Sequence, residues 1–182
     1  MVTIRRGFQQ AACAAAAFPL LAGCGFISSG TNSTPTLMTV SSEAFGQSML
    51  PATFTCHDAK PVSPPVGWSG APASTKSYAL VVDDSSAPIT PYIYWIVYNI
   101  SPASTDIQES VLPPGARQAP NSAGTVTYDP PCPQGSPHMY RFTVYALDTM
   151  LNLPANVTLQ DAWSAIAAAT IDHGRLPVTA NP

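Results

Sequence analysis

Three long apolar segments rich in β-branched and aromatic residues constrain the fold of this chain more than any other feature. They cover residues 78–84, 92–100 and 140–147. Residues of these types favour strands, because branched and planar side chains pack well on a pleated sheet. Elsewhere the chain carries three Pro-Pro pairs, which stiffen loop corners and exclude a regular helix. The pattern predicts a mainly β domain.

One helix is expected near the C-terminus. Thr158 precedes Asp161 by three residues, which is the spacing of a capping box with Asp in place of the usual Glu. The apolar residues that follow recur at intervals of three and four, as on the buried face of a helix. They are Leu159, Ala162, Trp163 and Ile166.

Shorter elements complete the expected architecture, a β-sheet core with one or two peripheral α-helices. We expect short strands at residues 37–40, around Phe54 and at residues 124–128. His173 lies between Asp172 and Gly174, and this polar sequence indicates a solvated turn.

The low charge content excludes several classes of protein. Only 9% of the residues are charged, with 7 Lys or Arg against 10 Asp or Glu, so the formal net charge is −3. Coiled coils, charged disordered tails and nucleic-acid binders all need more ionic groups. No nucleophile elbow, P-loop, zinc-protease motif or dinucleotide fingerprint is present. We therefore expect no nucleic-acid partner and no cofactor, and we find no motif for an enzyme.

The N-terminal segment is typical of a bacterial lipoprotein signal. Arg5 and Arg6 precede an uncharged apolar stretch at residues 11–21, which is too short to span a bilayer. The stretch ends in Leu-Ala-Gly-Cys, which resembles a lipobox with Cys24 as the lipidated residue. An ordinary secretory signal in which Cys24 has no role is the alternative.

The lipoprotein interpretation divides the chain into three parts: a signal peptide at residues 1–23, a lipidated flexible tether at residues 24–36 and a domain at residues 37–182. It predicts a protein anchored through Cys24 to the extracytoplasmic face of the cell membrane.

The cysteine count then favours one disulfide. Cys13 would leave with the signal and Cys24 would carry the lipid, so Cys56 and Cys132 remain. In an oxidising compartment such a pair most simply forms a bond. The alternative is a zinc site, although the chain lacks a C-x-x-C pair. Its ligands would be Cys56, His57, Cys132 and His138.

Polar residues at two strand ends are the candidates for chemistry. Asp83 and Asp84 end the first apolar segment, and His138 opens the third. An Asp and a His that meet at strand ends can bind a phosphate, or can simply hydrogen-bond each other.

Several motifs in order resemble those of a known family. They lie at residues 54–58, 63–72, 84–88, 94–95, 128–135, 138–140 and 142–148, and include Phe-Thr-Cys-His-Asp, Ser-Pro-Pro-Val-Gly-Trp-Ser-Gly-Ala-Pro and Phe-Thr-Val-Tyr-Ala-Leu-Asp. In them the chain resembles the phosphatidylethanolamine-binding protein family, in its bacterial Raf-kinase-inhibitor-like branch. The similarity runs from about residue 37 to residue 178.

The resemblance implies a β-sheet sandwich with peripheral helices and a small pocket for phosphate or a phosphorylated headgroup. A homodimer is a further expectation that rests on the resemblance alone. The pocket would use Asp84, Tyr94, His138 and Tyr140, with the loop of Pro131 and Cys132 as one wall. A Cys56–Cys132 bridge would stiffen that wall.

The chain departs from the family pattern at three pocket motifs. Ser86 replaces an Asp, Tyr94 replaces a His and Met139 replaces an Arg. Loss of charge-assisted donors predicts weaker phosphate binding, or a more neutral ligand. We expect a lipid-anchored, non-catalytic binding protein. The alternatives are an inhibitor or adaptor of a partner such as a protease or kinase, acting through surface loops, and a hydrolase built on His138.

Overall fold

The computed structural model describes residues 37–87 and 90–182, and these form eight strands and one α-helix. The predicted signal peptide, tether and lipidated Cys24 lie outside the described residues. In chain order the elements are β1 (Thr39–Ser41), β2 (Val66–Ser69), β3 (Ser77–Asp84), β4 (Ile93–Ile100), β5 (Asp106–Ile107), β6 (Arg117–Ala119), β7 (His138–Leu147), α1 (Leu159–Ala169) and β8 (Thr170–Ala180).

The strands form two antiparallel sheets. The small sheet has the order β1-β2-β5, and the large sheet has the order β6-β4-β3-β7-β8. The three segments that the sequence singles out are β3, β4 and β7, the three central strands of the large sheet. Strands buried on both faces read as nearly continuous apolar runs, which explains why these segments dominate the sequence.

The large sheet separates two apolar cores. Side chains alternate along β3, so Leu80 and Val82 pack towards the small sheet while Ala79 and Val81 face α1. The first core lies between the two sheets and the second between the large sheet and the helix. The architecture is therefore mainly β, a sheet sandwich with a peripheral helix, as the sequence predicts.

The helix begins at the predicted cap. The Thr158 hydroxyl accepts a hydrogen bond from the backbone N–H of Asp161 at 3.1 Å. Ala162 and Ile166 are fully buried against the sheet, and Trp163 is half-buried. In the part of the chain that the structure describes, no helix has both the length and the apolar character needed to cross a bilayer.

Two of the predicted short strands are wrong. Phe54 ends a 3-10 turn that begins at Ala52. Residues 124–128 form no strand, because the Asn121 side chain holds them in a loop. Its oxygen accepts from the backbone N–H of Thr125 at 3.0 Å, and its NH₂ donates to the carbonyl of Thr127 at 3.1 Å. Such local side-chain bonds compete with sheet pairing.

The predicted turn at His173 is also wrong. His173 lies inside β8, where it pairs with Tyr145 of β7. β8 is an edge strand, and part of its side-chain pattern is solvent-exposed. The polar sequence around His173 therefore reflects an exposed strand and not a break in the sheet.

Candidate functional site

Three strand termini meet at one end of the large sheet. β3 ends where its antiparallel neighbours β4 and β7 begin, and Asp84 lies opposite Tyr140 in the β3–β7 register. The four side chains that the family resemblance singles out come from these termini. We call the group of Asp84, Tyr94, His138 and Tyr140 the histidine pocket.

Asp84 and His138 form a direct pair. The His138 Nδ1 lies 2.8 Å from the Asp84 Oδ2, and the other carboxylate oxygen accepts the backbone N–H of Ser86 at 2.7 Å. The Asp84 side chain is 6% exposed and the His138 side chain 31%. Asp84 therefore fixes the imidazole through Nδ1, which leaves Nε2 available to a ligand.

The turn after β3 is hydrogen-bonded to the start of β7. The Ser85 N–H and hydroxyl both donate to the Met139 carbonyl, at 2.9 Å and 2.8 Å. The Met139 N–H donates to the Ser86 hydroxyl at 2.9 Å. Ser86, which replaces a family Asp, thus has a structural role in closing this turn. Met139 itself is half-exposed and, between His138 and Tyr140, points to the opposite face of the strand.

Aromatic rings form the rest of the histidine pocket. The Tyr94 ring meets the Tyr140 ring edge-on at a centroid distance of 5.4 Å, and the His138 ring stacks on Tyr140 at 6.3 Å. Tyr140 is completely buried, and its hydroxyl has no hydrogen-bond partner among the described residues. Buried hydroxyls are nearly always paired, so this oxygen lacks the partner that its position requires.

Burial and negative charge raise the pKa of both tyrosine hydroxyls further above physiological pH. Burial, reinforced by the charge of Asp84, raises the pKa of Tyr140 to about 12. Burial also raises the pKa of Tyr94 strongly, with smaller effects from Tyr140 and Asp84. Both groups are therefore neutral hydrogen-bond donors at physiological pH.

Two residues beside the pocket were missed by sequence reasoning. The Tyr92 hydroxyl donates to the Asp129 carboxylate at 2.8 Å, and the Asp129 N–H donates to the Tyr94 carbonyl at 2.9 Å. The Tyr92 and Tyr94 rings lie 4.6 Å apart. The Tyr-Ile-Tyr alternation is a signal that could have identified Tyr92, but nothing in the sequence pairs it with Asp129. A second carboxylate therefore borders the pocket.

A disulfide joins Cys56 to Cys132, across 76 residues of sequence, as the cysteine count predicts. The Cys56 N–H donates to the Pro131 carbonyl at 3.0 Å. With both sulfurs in the bond, neither thiolate is free for the alternative zinc site. Among residues 37–87 and 90–182 no cluster of three metal-ligating side chains occurs.

The Pro131–Cys132 loop is tied to the pocket through its preceding residues. Pro131 is buried and Cys132 is exposed, two and three residues after Asp129. The Cys132 sulfur is bonded to Cys56 and lies 3.5 Å from the Gln134 amide nitrogen. The role of Pro131 and Cys132 as a ligand wall stays a prediction.

Residues 40–181 match the family model of the phosphatidylethanolamine-binding proteins. The chain is 37% identical over 145 residues to a UPF0098 protein of Methanothermobacter thermautotrophicus, covering 76% of this chain and 95% of the relative. It is 39% identical over 142 residues to a Mycobacterium tuberculosis protein named "Putative lipoprotein LppC", covering 76% of this chain and 70% of the relative.

Solved structures show the same fold. The PEBP homologue CT736 of Chlamydia trachomatis superposes with a TM-score of 0.71 at 33% identity, covering 79% of this chain and 97% of the neighbour. Escherichia coli YbcL, described as a new member of the mammalian PEBP family, has a TM-score of 0.72 at 26% identity, covering 80% and 98%.

Proposed function

Because the chain belongs to the phosphatidylethanolamine-binding protein family, we propose that it is a non-catalytic binding protein whose histidine pocket takes a small ligand with a phosphate group. The observation that carries this proposal is the Tyr140 hydroxyl, which is buried without a partner at the pocket. A buried donor left unpaired costs about 1–3 kcal/mol, and a ligand oxygen would remove that cost.

The pocket offers three donors to a phosphate oxygen. Tyr94 and Tyr140 supply neutral hydroxyls, and a protonated His138 supplies Nε2–H. Asp84 accepts from Nδ1 at 2.8 Å and so holds the ring in one orientation. Its role in the proposal is to position the imidazole and not to contact the ligand.

The neighbouring carboxylates set the ligand class. Asp84 pairs with the imidazole, and Asp129 lies beside Tyr92 and Tyr94, so a free phosphate dianion meets repulsion as well as donors. A zwitterionic headgroup avoids this conflict, because its ammonium group pairs with a carboxylate while its phosphate reaches the donors. We therefore expect phosphoethanolamine to bind more tightly than inorganic phosphate, with both in the millimolar range.

The hydrogen bonds near His138 support a non-catalytic role. The two serines next to the pocket direct their hydroxyls to the backbone of Met139: Ser85 donates to its carbonyl and Ser86 accepts from its N–H. Neither hydroxyl bonds the imidazole, so a serine–histidine nucleophile pair of the hydrolase kind is not formed.

We further propose that Cys24 carries a lipid that anchors the domain to the extracytoplasmic face of the membrane. The lipobox-like sequence and the named lipoprotein among the relatives support this. Expression of the full chain in a bacterial host and extraction with a phase-separating detergent tests it. The protein should enter the detergent phase, and Cys24→Ser should remain in the aqueous phase. Equal partition of the two would overturn the anchor.

Titration of the isotopically labelled protein with inorganic phosphate, phosphoethanolamine and ethanolamine tests the pocket. The imidazole resonances of His138 should shift with both phosphate ligands, more strongly at equal concentration with phosphoethanolamine. Tyr140→Phe removes only the unpartnered hydroxyl and should weaken binding several-fold. His173→Gln, on the opposite face of the sheet, is the matched control and should bind as the wild type does.

Unmoved His138 resonances at millimolar phosphoethanolamine would refute the binding role. Shifts with ethanolamine alone, and none with phosphate, would show that the site recognises the ammonium group and would refute the phosphate assignment. Hydrolysis of a phosphate ester by the wild type, lost in His138→Ala, would refute the non-catalytic role.

A further inference from the structure

A second concave site lies on the other face of the large sheet. It is a groove of about 260 Å³ between α1 and the strands β3, β4, β7 and β8. Six of its lining residues carry the argument, and we call the site the arginine groove. They are Asp83, Ile93, Arg141, Tyr145, Trp163 and Arg175.

The groove contains more positive than negative charge. Arg141 donates its Nε to the Asp83 Oδ2 at 3.0 Å, and one terminal NH₂ contacts the same oxygen. Arg175 instead donates its Nε to the Thr143 hydroxyl at 3.0 Å and has no carboxylate partner among the described residues. The three charged groups therefore sum to one net positive charge.

The two guanidinium groups are neighbours on the sheet. Arg141 pairs with Pro177 and Thr143 pairs with Arg175, so the arginines occupy diagonal positions on β7 and β8. Diagonal positions lie about 7–8 Å apart, within reach of long side chains. Two like-charged side chains at such positions repel each other, and an anion bound beside Arg175 would offset the repulsion.

Apolar and aromatic side chains line most of the rest of the groove, beside the polar Thr90 and Gln160. Ile93 is buried on the floor, and the half-buried ring of Trp163 meets Tyr145 edge-on at a centroid distance of 5.9 Å. A ligand that fills this space needs an apolar body as well as a negative head. An arginine fork fits a carboxylate in a bidentate manner, which sets the chemistry of that head.

From this arrangement we propose that the arginine groove binds a small organic monocarboxylate, with the carboxylate on Arg175 and the apolar body against Trp163, Tyr145 and Ile93. A volume of about 260 Å³ lies just below the range of pockets for drug-sized ligands, so the ligand is smaller than those. The site is separate from the histidine pocket, since Asp83 and Asp84 project to opposite faces of β3.

Titration with 3-phenylpropionate tests the proposal, with 3-phenylpropanamide as the uncharged control of equal size. The Trp163 indole N–H resonance should shift with the acid at millimolar concentration, while the His138 resonances stay in place. Trp163→Phe identifies the indole resonance among those of the three tryptophans.

Arg175→Gln should weaken binding of the acid about tenfold. Arg175→Lys keeps the charge but lacks the guanidinium fork, so its affinity for the acid should lie between those of Arg175→Gln and the wild type. Arg117→Gln is the matched control, because Arg117 is an exposed arginine on β6 outside the groove. No Trp163 shift with the acid, equal binding of the amide, or an unchanged affinity in Arg175→Gln would each overturn the proposal.

Discussion

Asp83 and Asp84 are neighbours in the sequence, yet they belong to two different environments. Asp84 faces the histidine pocket and pairs with an imidazole, and a second carboxylate, Asp129, borders the same pocket through Tyr92. Asp83 faces the arginine groove and pairs with a guanidinium, while a second guanidinium lies nearby. Two consecutive residues of β3 therefore face surroundings of opposite charge: negative groups are in excess around Asp84 and positive groups around Asp83.

The tyrosines on the two faces reflect this difference. On the pocket side, the charge of Asp84 adds to the effect of burial and raises the pKa of Tyr140 to about 12. On the groove side, burial also raises the pKa of Tyr145, but the charge of Arg175 opposes the effect. Alternation along a β-strand thus lets one thin sheet hold two sites of opposite electrostatic character.

The largest expected effect comes from the Cys56–Cys132 bond, which we predict to support the pocket side of the sheet. Replacing Cys56 and Cys132 together with Ala should reduce the free energy of unfolding by about 4–5 kcal/mol, because the bond closes a long loop in the unfolded chain. Urea unfolding monitored by circular dichroism measures this loss. In the fraction that stays folded, phosphoethanolamine binding should weaken more than 3-phenylpropionate binding. Equal weakening would show that the disulfide supports both faces alike.

The two carboxylates themselves should differ in what they stabilise. Asp83→Asn leaves the Arg141 guanidinium, whose side chain is 27% exposed, without its carboxylate, and should cost about 1.5–3 kcal/mol of unfolding free energy. Asp84→Asn should cost less, about 1 kcal/mol, since the amide can still accept from Ser86 and His138 is more exposed.

The two variants should also differ in their effects on ligand binding. Asp84→Asn should weaken phosphoethanolamine binding and leave 3-phenylpropionate binding unchanged. Asp83→Asn should strengthen 3-phenylpropionate binding severalfold, because it removes the one negative charge of the groove. A loss of phosphoethanolamine binding in both variants would contradict the separation of the two sites.

Alkaline pH should destabilise the domain through its buried tyrosines. The pKa values of Tyr92 and Tyr140 are raised to about 12 from an unfolded value of 10, in each case mainly by burial. A raised pKa means that the folded state holds the proton more tightly. The stabilisation is therefore complete below pH 10 and is lost as the pH rises from 10 to 12.

Thermal unfolding between pH 8 and pH 12, together with tyrosinate absorbance, checks this dependence. The pKa of Tyr145 should also lie above its ordinary value, because burial outweighs the opposing charge of Arg175. Its titration can be assigned with Tyr145→Phe. A melting temperature that stays constant up to pH 12 would contradict the raised pKa values.

The long strands and the helix could be predicted because local chemistry alone specifies them. Buried strands such as β3 and β4 are apolar on both faces, and Thr158 caps α1 as its position implies. The errors fall where a particular strand pairing or side-chain contact, which composition does not show, decides the structure. β8 is a polar edge strand whose sequence alone does not indicate a strand, and it forms by pairing with β7. The Asn121 side chain prevents a strand that the composition of residues 124–128 favours.

The candidate site likewise contains residues that the sequence predicts and residues that only contacts in the fold reveal. The motifs predicted the four residues of the histidine pocket, and the antiparallel register brings their strand termini to one end of the sheet. The bond between Tyr92 and Asp129 joins residues 37 positions apart and has no sequence signal. The arginine groove was missed for a similar reason. Its charged groups come from three strands, and no motif connects Arg175 with Asp83.

Substitutions at the positions where the chain departs from the family pattern separate the two faces most directly. Tyr94 lies in the histidine pocket, so Tyr94→His adds a second imidazole there and should strengthen inorganic phosphate binding about tenfold below pH 6. Met139→Arg also adds a positive charge, but on the opposite face of β7, and should change phosphate affinity less than about threefold. Titration calorimetry measures both. If Met139→Arg strengthened phosphate binding as much as Tyr94→His, the total charge at this end of the sheet, and not the charge on one face, would determine the phosphate affinity.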